Sequence, residues 1–284
     1  MENLRLVAMS FTNRIETDVA DVYRAVLSET TDDAFVVVPA AASVERLVTV
    51  LDGLDSPPTV RLLAFDSTLK DVLDDFLVAS TAADLIDEGT LSLGTIEEAG
   101  TGQLIVTDET VVSLVTAGQR VAALGTDDEE FVANANERSE ERWEASSSYS
   151  LRTPPLSRIR ETMAEAFDPG VRDDFDAVLA SLDTARGDGN GLDEVTISLL
   201  VAAKNEELLY DISKWGEDTG VASKATFSRT KTRLEEMGLL DTTKVPIDVG
   251  RPRLRLLLGD ERLSEADADE LAAVATGILS TDAS

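Results

Sequence analysis

Apolar residues along the first 125 positions switch between helical and strand spacing. Over Arg14–Ser28 they fall at Ile15, Val19, Val22 and Val26, a stripe that predicts a helix. Phe35–Val38 is a short β-branched run and predicts a strand. Ser43–Leu54 reads as a helix with Ser43 at its N-cap and Leu47, Val50, Leu51 and Leu54 on one face, closed by Gly53 and Pro57-Pro58. Val60–Phe65 predicts a second strand. Asp66 or Ser67 can cap a long helix reaching Ile86, with Leu69, Val72, Leu73, Phe76 and Leu77 inward and Gly89 at its end. Leu91–Ile96, Leu104–Thr107, Val111–Thr116 and Val121–Leu124 read as further strands, with Asp108-Glu109 as a hairpin turn. Strand–helix–strand–helix–strand predicts a parallel βαβ core finished by antiparallel strands.

Asp127–Ser150 reads as a helix and then a polar linker. Ser146-Ser147-Ser148 and Thr153-Pro154-Pro155 place a boundary between an α/β domain over residues 1–150 and a second domain over residues 151–284. In the second domain, Leu156–Phe167 and Val171–Leu182 read as helices, and Gly187–Gly191 as a loop. Asp193–Lys204 follows with Val195, Leu199, Leu200 and Ala203 inward, then Leu208–Gly216 with Leu209, Ile212 and Trp215. A turn at Asp218–Val221 leads to a third helix that Ser223 can cap, running to Met237 with Phe227, Thr230 or the Lys231 stem, Leu234 and Met237 inward, and Gly238 as its C′ residue. Leu239–Val245 and Arg253–Leu258 read as a two-stranded hairpin. That order is winged helix-turn-helix, an α+β unit. Leu271, Val274 and Ile278 give a final helix that packs on it or serves a dimer contact.

Composition removes whole classes of chemistry. The 284 residues include no Cys and no His. Disulfides, thiolate metal sites, Ser-His-Asp triads and imidazole ligands are therefore excluded. Acidic pairs such as Asp74-Asp75 and Asp127-Asp128 read as solvated surface, and no catalytic cluster, metal site or cofactor is expected. The longest apolar runs fall far short of the roughly 20 residues of a membrane span, and Met1–Ser10 carries no signal-peptide pattern, so a cytoplasmic protein without membrane contact is expected.

Charge carries more information than its total suggests. The net charge is −30, as expected for a salt-adapted protein, since molar salt shortens the Debye length to about 3 Å and screens self-repulsion. Residues 1–150 carry −20 of it, whereas residues 192–258 carry only −1. Five of the six lysines follow residue 200, and Ser223–Arg255 is locally +4. That basic patch coincides with the third helix and the hairpin. Ser223, Lys224, Thr226, Ser228, Arg229, Lys231, Thr232 and Arg233 are the candidate DNA contacts of the helix, and Lys244, Arg251, Arg253 and Arg255 those of the wing. Strand alternation sets Leu254 and Leu256 against Arg253 and Arg255, giving a basic face toward DNA. In the N-terminal domain, ligands of a parallel sheet bind beyond the strand ends, here Pro39–Ser43 and Asp66–Thr68. Ser43, Asp66 and Ser67 are thus candidate effector contacts, although helix capping explains Ser43 and Ser67 more simply. No glycine-rich phosphate loop is present.

Leu192–Ala203, Leu209–Gly216, Gly220–Arg233, Leu239–Asp241 and Val245–Leu257, with Val249-Gly250-Arg251-Pro252-Arg253-Leu254-Arg255 in the wing, resemble the TbsP family of haloarchaeal transcriptional regulators. The resemblance extends over most of the chain and is weakest in the tail. It implies a winged helix-turn-helix regulator, related in role to TrmB-type regulators and acting on central carbon metabolism genes. The expected function is therefore a sequence-specific, double-stranded-DNA-binding transcription regulator and not an enzyme. A homodimer is expected, because two-fold proteins read paired half-sites and one winged helix reads few bases. A small-molecule effector is a further candidate partner of the N-terminal domain. The alternative is a protein-interaction or metabolite-sensing module that turns its winged helix toward a protein.

Overall fold

The computed structural model describes residues 13–38, 40–97, 102–186, 192–246 and 252–282. Its contacts divide into two units. One takes the residues up to Leu73 with Thr81–Leu151, and the other takes Asp74–Ser80 with the residues from Arg152 onward.

The first unit is built on a mixed sheet. Its elements are β1 (Arg14–Glu16), α1 (Val19–Leu27), β2 (Ala34–Val37), α2 (Ala41–Asp52), β3 (Val60–Ala64), α3 (Asp66–Val72), α4 (Phe76–Asp87, from Thr81 on), β4 (Leu91–Thr95), β5 (Gln103–Val106), β6 (Val111–Ala117), β7 (Arg120–Thr126), α5 (Glu129–Ala145) and β8 (Ser147–Ser148). The strand order is β1-β7-β6-β5-β2-β3-β4-β8. Strands β2, β3 and β4 pair in parallel and the others antiparallel, which is the expected βαβ core with an antiparallel continuation. Every residue of β2 is buried, as a central strand covered on both faces requires. Helix α5 covers Phe35, Val106 and Val111 through Val132. Arg61 ties it down, bonding Glu140 at 2.7 Å and Asp33 at 2.9 Å with its guanidinium 5.1 Å from the Phe35 ring centre.

Four local expectations are corrected. Arg14–Glu16 is a strand and not the first turn of a helix, because Asp18 caps α1 by accepting from the Ala20 N–H at 2.9 Å. Ser43 is not an N-cap: α2 starts earlier, after Ala40. The long helix after β3 is two helices. Neither Asp66 nor Ser67 caps the first, whose N-cap is Phe65 without a side-chain bond. The second starts where Asp75 accepts from the Leu77 N–H at 2.9 Å. Lastly, Ser147 and Ser148 pair with Thr95 and Gly94, so this part of the polar segment is sheet and not linker.

The second unit contains α6 (Leu156–Ala166), α7 (Pro169–Ala180), α8 (Glu194–Lys204), α9 (Leu209–Thr219), α10 (Lys224–Glu236), β9 (Leu240–Val245), β10 (Arg253–Leu258), α11 (Glu261–Glu265) and α12 (Ala268–Asp282). Helix α8 is central: every residue from Val195 to Ala203 is buried. A helix that is hydrophobic all round must be covered all round, and α7, α9, α10, β10 and α12 all contact it. Asp75 belongs to this unit and is only 4% exposed. It accepts from the Thr184 hydroxyl and from the Ala185 N–H at 3.3 Å, and pairs with Arg186 at 3.4 Å. The reading of Asp75 as solvated surface is therefore overturned.

Candidate nucleic-acid interface

The spacing between α9 and α10 comes from one glycine and one ring. A Cβ on Gly216 would stand 2.2 Å from Phe227 Cε2, so only glycine lets the fully buried Phe227 ring lie against α9. Gly220 closes α9 in the left-handed region at φ 92°, a conformation that costs glycine little. Ser223 caps α10 as expected, its hydroxyl accepting from the Thr226 N–H at 3.1 Å. With Phe227, Thr230 and Leu234 buried, the 3.6-residue period turns Ala225, Ser228, Arg229 and Thr232 outward, and all four are exposed.

The cations divide by what they meet. Lys224 Nζ pairs with Glu217 at 2.6 Å, and the Glu217 carboxylate also accepts from the Lys224 N–H at 3.4 Å. The contact holds the Lys224 ammonium above its ordinary range and the Glu217 carboxyl below its own. Lys231 is only 12% exposed at its side chain and pairs with Glu235 at 2.8 Å. Arg233 is exposed and reaches back to Thr196 of α8 at 3.4 Å. Among the described residues the Arg229 side chain bonds only the Thr226 hydroxyl, at the limiting distance of 3.5 Å. Among the described residues no carboxylate pairs with Arg229, Arg233 or Lys244.

The wing has two faces, with the basic residues on both. Directly opposed residues in an antiparallel pair share a face. Lys244 opposes Leu254 and Thr242 opposes the buried Leu256, whereas Arg253 opposes Val245 and Arg255 opposes Thr243. The leucines do stand against the two arginines, but Lys244 lies on the leucine face, which corrects the expected single basic face. Arg253 lies 4.4 Å over the Tyr210 ring and pairs with Asp211 at 3.3 Å. Arg255, bridged to Leu208 as in a third short strand, pairs with Glu206 at 3.4 Å while its Nε is buried without a hydrogen-bond partner. Arg251 lies outside the described residues.

A groove of about 370 Å³ joins helix and wing, lined by Tyr210, Ser213, Lys224, Ser228, Arg253 and Leu254 among others. The sequence reading missed Tyr210, which is 47% exposed. Its signal is a large aromatic one position off the inward Leu209–Ile212–Trp215 stripe, of which Ile212 and Trp215 are buried and Leu209 half-buried. Glu206, Asp211 and Glu217 were missed too, because they precede the Ser223–Arg255 window yet neutralise cations inside it.

The candidate effector residues do not converge in the same way. Ser43 lies in the first turn of α2, and Ser67 is exposed in the first turn of α3. Asp66 pairs with Lys70 at 2.7 Å and lines an open cleft of about 1280 Å³ beside α5, with Gln103, Phe131 and Arg138. Among the described residues no helix is long and apolar enough to cross a membrane.

The family model described as transcriptional regulator TbsP-like, N-terminal, matches residues 11–154, and that described as transcriptional regulator TbsP-like, C-terminal HTH domain, matches residues 155–276. No curated protein sequence matches the chain. Among solved structures it is similar to TrmBL2, described as an archaeal chromatin protein with a novel mode of DNA binding, at 17% identity and a TM-score of 0.37. That match takes in 51% of this chain and 57% of TrmBL2. It is also similar to Nuc of Salmonella typhimurium, a phospholipase D family member, at 12% identity and a TM-score of 0.33 over 49% of this chain and 99% of Nuc. NucT of Helicobacter pylori matches at 11% identity and a TM-score of 0.32, over 49% of this chain and 99% of its own.

Proposed function

Because the chain belongs to the TbsP-like family of transcriptional regulators, we propose that it is a sequence-specific regulator that reads double-stranded DNA with α10 and works as a homodimer. The observation that carries this reading is the outward face of α10. Ala225, Ser228, Arg229 and Thr232 are exposed there, and Arg229 meets no carboxylate among the described residues. A recognition helix enters the major groove with its N-terminal half, where arginine pairs with guanine and serine or threonine reaches bases or phosphates.

Each remaining residue has a proposed part. Ser223 and Thr226 stand at the N-terminus of the helix, beside the backbone N–H groups that favour a phosphate. Lys224 and Arg253 border the groove and hold phosphates after exchanging Glu217 and Asp211 for them. Lys244 reaches the backbone from the leucine face of the wing. Arg233 adds charge at the last turn of α10, while Lys231 and Arg255 position the helix and wing through Glu235 and Glu206. Arg251 is a further proposed DNA contact. The N-terminal unit supplies dimerisation and an effector site, the open cleft that Asp66 lines being one place for a metabolite. Target genes in central carbon metabolism follow from the family resemblance alone.

Ion-paired cations have a consequence for salt dependence. Each phosphate taken by Lys224 or Arg253 releases a carboxylate as well as counterions, so the fall of log affinity with log salt is shallow compared with about 0.9 per contacted phosphate. The test is fluorescence anisotropy in molar KCl with a duplex selected by the wild type from a random library. Specific binding with a shallow salt slope supports the proposal. Failure to enrich any sequence would overturn it in favour of a protein partner for the winged helix.

A further inference from the structure

Ile15 at 61%, Val115 at 49%, Leu124 at 48% and Phe131 at 55% are four of the five large apolar side chains left exposed among the described residues. They are far apart in sequence yet fall on one surface. Ala122 of β7 opposes Ile15 of β1 on one side and Val115 of β6 on the other, so the three share a face of the sheet. Leu124 lies two residues along from Ala122 on that same face, opposite Ser113. Ser113 and Phe131 line a common cleft, which carries the surface to the start of α5. Contiguous exposed apolar surface of this kind marks an interaction site.

The strand at its rim is self-complementary. Among the described residues β1 is an edge of the sheet, and an edge strand is a template for pairing with another chain. Its sequence is Arg14-Ile15-Glu16. An antiparallel pair of two such strands, centred on Ile15, sets Arg14 of each copy opposite Glu16 of the other and brings the two Ile15 side chains together. Asn13 then meets Thr17, and no like charges oppose. A two-fold interface requires this property, since each residue must suit its counterpart in reversed order. Parallel pairing would set Arg14 against Arg14 and Glu16 against Glu16.

We propose that this face is where a second copy of the chain docks, with β1 pairing antiparallel to β1 of the partner across a two-fold axis and Ile15, Val115, Leu124 and Phe131 supplying the apolar contact. It deepens the homodimer reading above and rests on it. In molar salt the apolar contact dominates and the charges fix direction, because direct ion pairs weaken while hydrophobic burial does not.

The test is sedimentation equilibrium in molar KCl on the full chain, repeated at the lowest salt at which it stays folded. Ile15→Asp and Leu124→Asp are each expected to raise the dimer dissociation constant about a hundredfold, since a polar group replaces a buried side chain in both copies. Both positions are exposed in the monomer, and an unchanged far-ultraviolet spectrum and melting temperature will show that the fold is intact. At low salt, Arg14→Glu and Glu16→Arg alone are each expected to weaken the dimer about tenfold, and the double exchange to restore it. Failure of the double exchange to restore it would overturn the antiparallel pairing. A wild-type dimer indifferent to all four substitutions would overturn this surface while leaving the homodimer standing. A wild type that stays monomeric would overturn both, leaving the face to residues 1–12 of the same chain or to a different protein.

Discussion

Replacing Gly216 by alanine probes the device that sets α10 against α9. The added Cβ would stand 2.2 Å from Phe227 Cε2 and 2.5 Å from its Cζ. Carbon atoms pack at about 3.5–4.0 Å, so the helices must part by more than about 1 Å or the ring must leave its site. Phe227 is fully buried against the unit's core and has nowhere to turn. Overpacking of this kind costs about 1–3 kcal/mol. Alanine returns up to about 1 kcal/mol of helix propensity at an ordinary helical position. The net loss expected is about 0.5–2 kcal/mol, read as a fall in melting temperature of roughly 2–10 °C. Because the displaced element is the helix proposed to read DNA, affinity measured by anisotropy is expected to fall several-fold. Phe227→Leu in the same chain should cost less than the sum of the two single changes, since the shorter side chain vacates the contested space. A Gly216→Ala chain that melts at or above the wild-type temperature and binds DNA undiminished would refute this account of the packing.

Glu217→Gln frees Lys224 and is expected to tighten DNA binding about two- to fivefold by anisotropy, with an unchanged affinity placing Lys224 away from the phosphates. Asp75→Ala strands the Thr184 hydroxyl, the Ala185 N–H and the Arg186 charge, and is expected to lower the stability of the second unit by about 2–4 kcal/mol in urea denaturation. Burial, aided by the nearby Asp193 and Asp74 carboxylates, holds the Glu194 carboxyl above its ordinary range. Folding therefore favours its protonated form, and that contribution is present at low pH and lost as pH rises through the folded-state value. Glu194→Gln is accordingly expected to stabilise the chain at pH 7 and to give no gain below about pH 4, as urea midpoints at the two values will show.

Local rules carried much of the fold. Apolar runs marked β2 to β7 within a residue or two, because buried strands are read from composition alone. The start and end of α10 were legible from Ser223 and Gly238, whose capping roles need only the backbone around them. Among the features that were not legible, three failed for plainly non-local reasons. Arg14–Glu16 is a strand only because β7, more than a hundred positions on, offers it a partner. The partners of Asp75 are similarly distant, so its doubled acidic sequence resembled the solvated pairs around it. In the candidate site, Lys244 changed faces because hairpin register depends on turn geometry as well as on alternation. The local charge of Ser223–Arg255 overstated the free charge for a related reason: helix α9 and the loop before it fold Glu206, Asp211 and Glu217 onto three of its cations, Arg255, Arg253 and Lys224.

The most direct test of the DNA-reading face of α10 is the affinity of Arg229→Ala for the selected duplex and for a shuffled one, both in molar KCl. The loss expected is about 1–3 kcal/mol on the selected duplex, roughly five- to a hundredfold, with little change on the shuffled one. Wild-type discrimination between the two duplexes by the Arg229→Ala chain would contradict the assignment.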